Sequence, residues 1–238
     1  MAKFKKQNIK CPKCGKDIEI EIWDKLEMPY DIEQKNKVMQ NVFFKAYCKD
    51  CKILFPIAYR SSYNDLEQKY LIWLVPRLTQ PEWKDIREYN ERLKKDNILR
   101  LAQGGYRYRI VRSDTELREK ILIFEEGLDD RFIETMKLVY LPMLKEKVAK
   151  DRKIIGFFFD KKPNDGYRWV LLLEGAPEPL VLNVNMDIYE EMKEKLADVA
   201  DEFTPEGLTQ INPIWARDVM QAYSEKTKAE EKKDVQQN

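Results

Sequence analysis

The stretches "KCPKCG" at residues 10–15 and "CKDC" at residues 48–51 hold all four cysteines of the chain, Cys11, Cys14, Cys48 and Cys51. Two residues between the members of each pair let both sulfurs of a knuckle face one ion, and two knuckles supply the four soft ligands of a tetrahedron. Zinc suits that set best, with an iron centre as the alternative metal. Four sulfurs close the coordination sphere, so the expected role of the ion is structural. Pro12 stiffens the first knuckle, and Gly15, next to Cys14, can take the positive φ that turns the chain away from the ion. The second knuckle, "CKDCK", has neither feature, which leaves a looser turn or a strained conformation at Lys52.

Two rival chemistries use the same residues. A redox dithiol also has the spacing of "CPKC", but its first cysteine opens a helix that lowers its pKa. Here Ile18, Ile20 and Ile22 alternate with Asp17, Glu19 and Glu21, the period of a strand. Disulfides are disfavoured in the intracellular setting expected below. The gap between knuckles exceeds the ~15–20 residues of a compact ribbon. The insert reads as a hairpin arm: "DIEIEIWDKLEM" and "NVFFKAYC" as strands, joined by the polar "PYDIEQKNK".

Working outward, 238 residues are enough for one sizeable domain or two small ones. No apolar run reaches the ~18 residues of a membrane helix, so no membrane partner is expected. The start "MAKFKKQNIK" has no apolar segment of a secretory signal, and a cytoplasmic protein is the expectation. The net charge of +1 advertises no polyanionic partner. The chain contains no histidine, which excludes Ser-His-Asp and Cys-His catalysis and histidine-ligated metals. Any enzyme here would have to use carboxylates, Lys, Tyr or Arg.

Past the second knuckle, "LFPIAY" and "KYLIWLVP" read as strands separated by a polar turn at "SSYND". Residues 80–105 read as one helix, or two broken near Asp96, with Trp83, Ile86, Leu93 and Leu101 on one face and Gly104 as the stop. "YRYRIVRS" alternates as a strand. Ser113 and Glu116 then form a capping box, Gly127 closes that helix, and a second helix runs through "DDRFIETMKLVY" until Pro142 ends or kinks it. These two helices are expected to pair antiparallel.

"CPKCG", a separated second knuckle and "RIVRSDTELREKILIFEEGLDDRFIETMKL", in that order, resemble the CpXC domain family of prokaryotic proteins over roughly residues 9–145. The second knuckle departs from the pattern, with Lys49 where the first has Pro12. The resemblance implies a metal-binding domain without an assigned activity. It carries over Cys11, Cys14, Cys48 and Cys51 and brings no catalytic residue.

The last third reads as a three-stranded meander from "KIIGFFFD" to "PLVLNV". A helix capped by Asp187 follows, with Ile188, Met192, Leu196 and Val199 inward, and Asn212 opens a final helix. The expected architecture is α+β: a zinc-ribbon-like β-hairpin module over 1–76, a helical segment over 77–150, a β-meander plus helices over 151–224, and a disordered tail over 225–238.

Three constellations carry a functional alternative. Lys3, Lys5, Lys6, Lys10, Lys13 and Lys16 make the head basic, which could grip phosphate or could simply offset a tetrathiolate site. Tyr106 and Tyr108 interleave with Arg107, Arg109 and Arg112 in a pattern that could stack bases, although one face of such a strand is more often buried. Glu125, Glu126, Asp129, Asp130 and Glu134 could bind a divalent cation, yet acidic residues are also favoured where a helix begins. The leading expectation is a non-enzymatic, zinc-stabilised adaptor that binds another protein. The alternative is a nucleic-acid-binding protein using Lys5, Lys6, Lys13, Arg107 and Arg109, and an enzyme built on the acidic cluster ranks behind both.

Overall fold

The computed structural model describes residues 4–95, 105–147, 150, 152–163 and 166–237, with side chains as far as residue 230. Lys3, Asp96, Leu101 and Gly104, named above, lie outside these. The chain folds as two units: Met1–Lys120 with Glu206–Thr209, and Ile121–Pro205 with Gln210–Asn238.

The first unit opens with β1 (Lys5–Lys10) and β2 (Asp17–Ile22), an antiparallel hairpin in which Ile18, Ile20 and Ile22 alternate inward as their spacing requires. After Trp23 and Asp24 the chain enters β3 (Lys25–Met28) in a different sheet. The expected hairpin arm does not form. Its polar joint is instead helix α1 (Ile32–Met39), because the buried Asp31 accepts the N–H of Glu27 at 2.9 Å and its own carbonyl takes the N–H of Lys35 at 3.0 Å. Only Val38 of α1 is fully buried, too weak an apolar stripe to be read from sequence. The chain then makes a second antiparallel hairpin, β4 (Lys45–Cys48) with β5 (Ile53–Pro56).

Next come β6 (Ser61–Asp65), β7 (Tyr70–Leu74), α2 (Gln80–Lys95) and β8 (Arg107–Val111). The sheet order is β3-β6-β7-β8, with β6 and β7 antiparallel and the two outer pairings parallel. "SSYND" is therefore a strand, not a turn. Its inward residues are Ser61, Tyr63 and Asp65: the Ser61 hydroxyl donates to the Trp23 carbonyl at 2.6 Å, and Asp65 accepts the N–H groups of Glu67 and Gln68 to start the turn into β7. Helix α2 lays Ile86 and Leu93 on Leu71, Val75, Tyr108 and Ile110. Leu208 completes this core from the short returning segment. Asn90 holds it there, donating to the Leu208 carbonyl at 3.1 Å and accepting its N–H at 2.8 Å, and Ile110 of β8 donates to the Thr209 carbonyl at 2.8 Å.

Helix α3 (Asp114–Glu125) begins in the first unit and ends in the second. Ser113 accepts the N–H of Glu116 at 3.1 Å, as the capping box requires, while the Glu116 carboxylate reaches one residue further back, to the N–H of Arg112 at 2.8 Å. Gly127, at φ +69°, closes the helix with Leu128 donating to the carbonyl of Ile123.

In the second unit α4 (Asp130–Lys147) continues through Pro142, which is exposed, rather than ending there. It packs along α5 (Met186–Phe203) and α6 (Pro213–Gln237). The meander forms as expected, in order β11-β10-β9, from β9 (Ile154–Lys161), β10 (Tyr167–Leu173) and β11 (Leu180–Asn183). Trp169 is fully buried there, its ring centroid 4.9 Å from that of Phe157 and 5.6 Å from that of Phe159. Asn185, rather than Asp187, caps α5, and Asn212 caps α6 by accepting from Ile214 and Trp215. Helix α6 runs to Gln237, through residues expected as a tail. The fold is mixed α and β, with six helices among the described residues, none long and apolar enough to cross a membrane.

Candidate metal centre

Each cysteine pair occupies the tip of a hairpin. Cys11 and Cys14 lie in the turn between β1 and β2, while Cys48 ends β4 and Cys51 lies in the turn to β5. Behind the tips, Phe4, Trp23, Phe43, Phe44 and Tyr59 form a chain of rings with centroids 4.9 to 6.3 Å apart. Close aromatic packing of this kind fixes the two hairpins without using a polar group.

The local backbone is set for sulfur display. Gly15 donates to the Cys11 carbonyl at 2.9 Å and has φ +72°. Lys52, in the same place on the second knuckle, has φ +55°. The second knuckle thus adopts the strained alternative rather than a looser turn.

All four Sγ atoms lie within 4.8 Å of one another, with Cys11 to Cys51 at 3.5 Å and Cys14 to Cys48 at 3.6 Å. A tetrahedron with metal–sulfur bonds of ~2.3 Å has edges of about 3.8 Å, so the donor set fits one ion. Disulfide sulfurs stand ~2.05 Å apart, and all four thiols are free. Neither pair opens a helix, so the local dipole a reactive dithiol needs is missing. Cys11 and Cys48 are buried, Cys51 is half-buried and Cys14 is exposed. Burial opposes ionisation of Cys11, but the backbone N–H groups of Cys14 and Lys13 outweigh it and bring that thiol down to about 6. Burial, together with hydrogen bonds to the other three sulfurs, pushes Cys51 up to about 12. A bound divalent cation would hold all four as thiolates and tie the two hairpins together.

The basic head is largely engaged with neighbouring carboxylates. Lys5 meets Asp24 at 2.5 Å, Lys6 meets Glu19 at 2.7 Å and Lys10 meets Asp17 at 2.8 Å. Lys16 bonds Asp50, and this contact joins the first knuckle to the second. Asp50 raises the Lys16 pKa most, and the negative charge of Cys14 and Cys48 adds to it. Sequence reading overlooked Asp50, whose signal was an acid within the second knuckle to match a base just after the first. Lys13 stands exposed on the first knuckle. Arg107 is half-buried, and Arg109 is only 5% exposed, its guanidinium donating to the carbonyl of Tyr108 at 3.0 Å.

The acidic residues disperse. Asp129 caps α4, accepting the N–H of Arg131 at 2.9 Å, and the Arg131 guanidinium clasps the same carboxylate. Glu126 takes Lys161 at 2.6 Å and the Tyr167 hydroxyl at 3.0 Å, Glu134 takes Lys137 at 3.2 Å, and Asp130 is fully buried. Among the described residues, the four cysteines are the group whose ligand atoms converge closely enough to hold a metal.

The fold and the cluster together define a mixed α and β protein whose four cysteines could bind a metal ion. The profile of the CpXC protein family matches residues 9–137, more than half of the 238, and the chain belongs to that family. No curated protein and no solved structure matches the chain.

Proposed function

We propose that Cys11, Cys14, Cys48 and Cys51 hold one structural zinc ion in a zinc-ribbon-like arrangement, and that the chain is a cytoplasmic adaptor whose partner is another protein. The observation that carries this reading is the cross-strand pair Tyr47 and Leu54. The two residues face each other on β4 and β5, at 51% and 55% exposure, on the hairpin whose tip supplies half of the sulfurs. A metal that rigidifies that hairpin lowers the entropy of presenting the pair to a partner. The four-sulfur set leaves no coordination position for a substrate, which favours a structural ion over a catalytic one.

The test is capture of a partner by the full chain with and without nuclease treatment. A stoichiometric protein that survives nuclease, and is lost with Tyr47→Ser/Leu54→Ser while metal content stays constant, is the expected result. Capture unaffected by that double substitution would overturn the reading. The second reading, nucleic-acid binding, is favoured by the exposed Lys13 and weakened by the carboxylate partners of Lys5 and Lys6. It requires binding that falls steeply with added salt and is lost when Lys5, Lys6 and Lys13 are reversed in charge.

A further inference from the structure

One face of the four-stranded sheet changes character from edge to edge. The strand register places Glu27, Asn64, Leu71 and Tyr108 in one row and Lys25, Ser62 and Trp73 in the next. The β3–β6 side of this face is therefore polar and the β7–β8 side apolar. Helix α2 packs over the apolar side and contributes Tyr89, Arg92 and Leu93. Between helix and sheet lies a cavity of about 610 Å³. That volume falls within the roughly 300–1,000 Å³ of small-molecule sites.

Its walls are aromatic and arranged in two touching pairs. Trp73 and Tyr89 have ring centroids 4.9 Å apart, and Tyr106 and Tyr108 have theirs 5.0 Å apart. An aliphatic chain would gain nothing specific from four rings, whereas a flat ring gains offset-stacked or edge contacts with them. Along the polar side, Lys25 and Glu27 neutralise each other at 2.7 Å. Asn64 bonds the Tyr106 hydroxyl. Arg92 is different: among the described residues it has no carboxylate partner, and its Nε donates to the backbone carbonyl of Glu88 at 3.3 Å. The lining therefore carries one uncompensated positive charge beside the rings. Tyrosine hydroxyls are protonated at neutral pH, and burial shifts Tyr89, Tyr106 and Tyr108 further that way, so these rings carry no charge that would repel an anion.

We propose that this cavity binds a small planar aromatic anion, with its ring among Trp73, Tyr89, Tyr106 and Tyr108 and its acidic group at Arg92. The site lies on a different sheet from the hairpins that carry the cysteines, and it stands or falls independently of the metal reading.

The probe is 2-naphthoate, with 2-naphthalenemethanol as its neutral counterpart, titrated into the full chain by calorimetry. The indole N–H resonance of Trp73, assigned with Trp73→Phe, reports where the probe sits. Saturable 2-naphthoate binding that shifts this resonance is expected, weakened about tenfold or more both for the alcohol and in Arg92→Gln, the loss of one charge-assisted contact. Arg92 is exposed on the surface of α2, so its substitution should leave the circular dichroism unchanged. Lack of saturable binding, equal affinity for the alcohol, or indifference to Arg92→Gln would each overturn the proposal. So would a single-stranded oligonucleotide that binds at Trp73 while 2-naphthoate does not.

Discussion

Gly15 and Lys52 are conformational counterparts: each directly follows the second cysteine of its knuckle, and each holds a positive φ, +72° and +55°. The two halves of the centre thus solve the same turn, one with the residue suited to it and one without. A side chain in this region costs roughly 1–2 kcal/mol, and glycine gives back about 0.5–1 kcal/mol through its freer unfolded state. Lys52→Gly is expected to stabilise the metal-loaded protein by up to about 1 kcal/mol. Gly15→Ala should destabilise it by a similar net amount, up to about 1 kcal/mol, through conformation alone, since nothing lies within 4 Å of the added methyl. Denaturant titrations of the two variants check both signs.

Metal content should be about one zinc per chain by elemental analysis. Cys11→Ser removes a buried ligand and should abolish binding together with the protection of both hairpins from hydrogen exchange. A metal-free preparation with unchanged stability would exclude the centre.

Asn90 makes two hydrogen bonds to the backbone of Leu208. Asn90→Ala leaves both backbone groups without their side-chain partner, for a loss of about 1–3 kcal/mol. Gly207→Ala should be at least as damaging, because its methyl would stand 2.5 Å from the Asn90 amide oxygen at a φ of +86°. Thermal unfolding midpoints provide the measurement.

Burial pushes the Tyr59 hydroxyl up to about 12, and burial with Tyr108 and Tyr89 nearby does the same for Tyr106. Unfolded tyrosine ionises near 10, so between those values the unfolded chain holds fewer protons than the folded one. The stability contributed by these groups is complete below pH ~10 and falls as pH rises toward about 12. Tyrosinate absorbance of the native protein should lag behind that of the denatured protein, and Tyr59→Phe should reduce the lag.

Asp129→Ala removes a helix N-cap and one of the two carboxylate partners of Arg131, the other being Asp201, with an expected loss of about 1–2 kcal/mol. An unchanged unfolding curve would mean that this carboxylate is not structural.

Local signals were readable from the chain, and the rest depended on distant partners. The cysteine cluster follows from spacing, the β2 alternation from Ile18, Ile20 and Ile22, and the α3 start from Ser113 and Glu116, all within a few residues. Strand β6 escaped because its inward side is Ser61, Tyr63 and Asp65. The hydroxyl of Ser61 is satisfied by Trp23, far back in the chain, so polarity there marks a bonded strand rather than a turn. Helix α1 escaped because a single buried valine gives almost no periodicity. The aromatic cavity was half visible: Tyr106 and Tyr108 stood out as a stacking pair, but Trp73 and Tyr89 join them only through the β7–β8 pairing and the seating of α2.

The return of Glu206–Thr209 to the edge of β8 sets a timetable. During synthesis, the sheet that begins at Lys25 cannot close its last hydrogen bond, from Ile110 to Thr209, until the ribosome has released residue 209. By then every residue of the β9–β11 meander has already left the exit tunnel. A released chain ending at residue 137 would have the whole family-matched stretch and still lack the Thr209 contact on β8, leaving open a strand edge of the kind on which chaperones and aggregation compete.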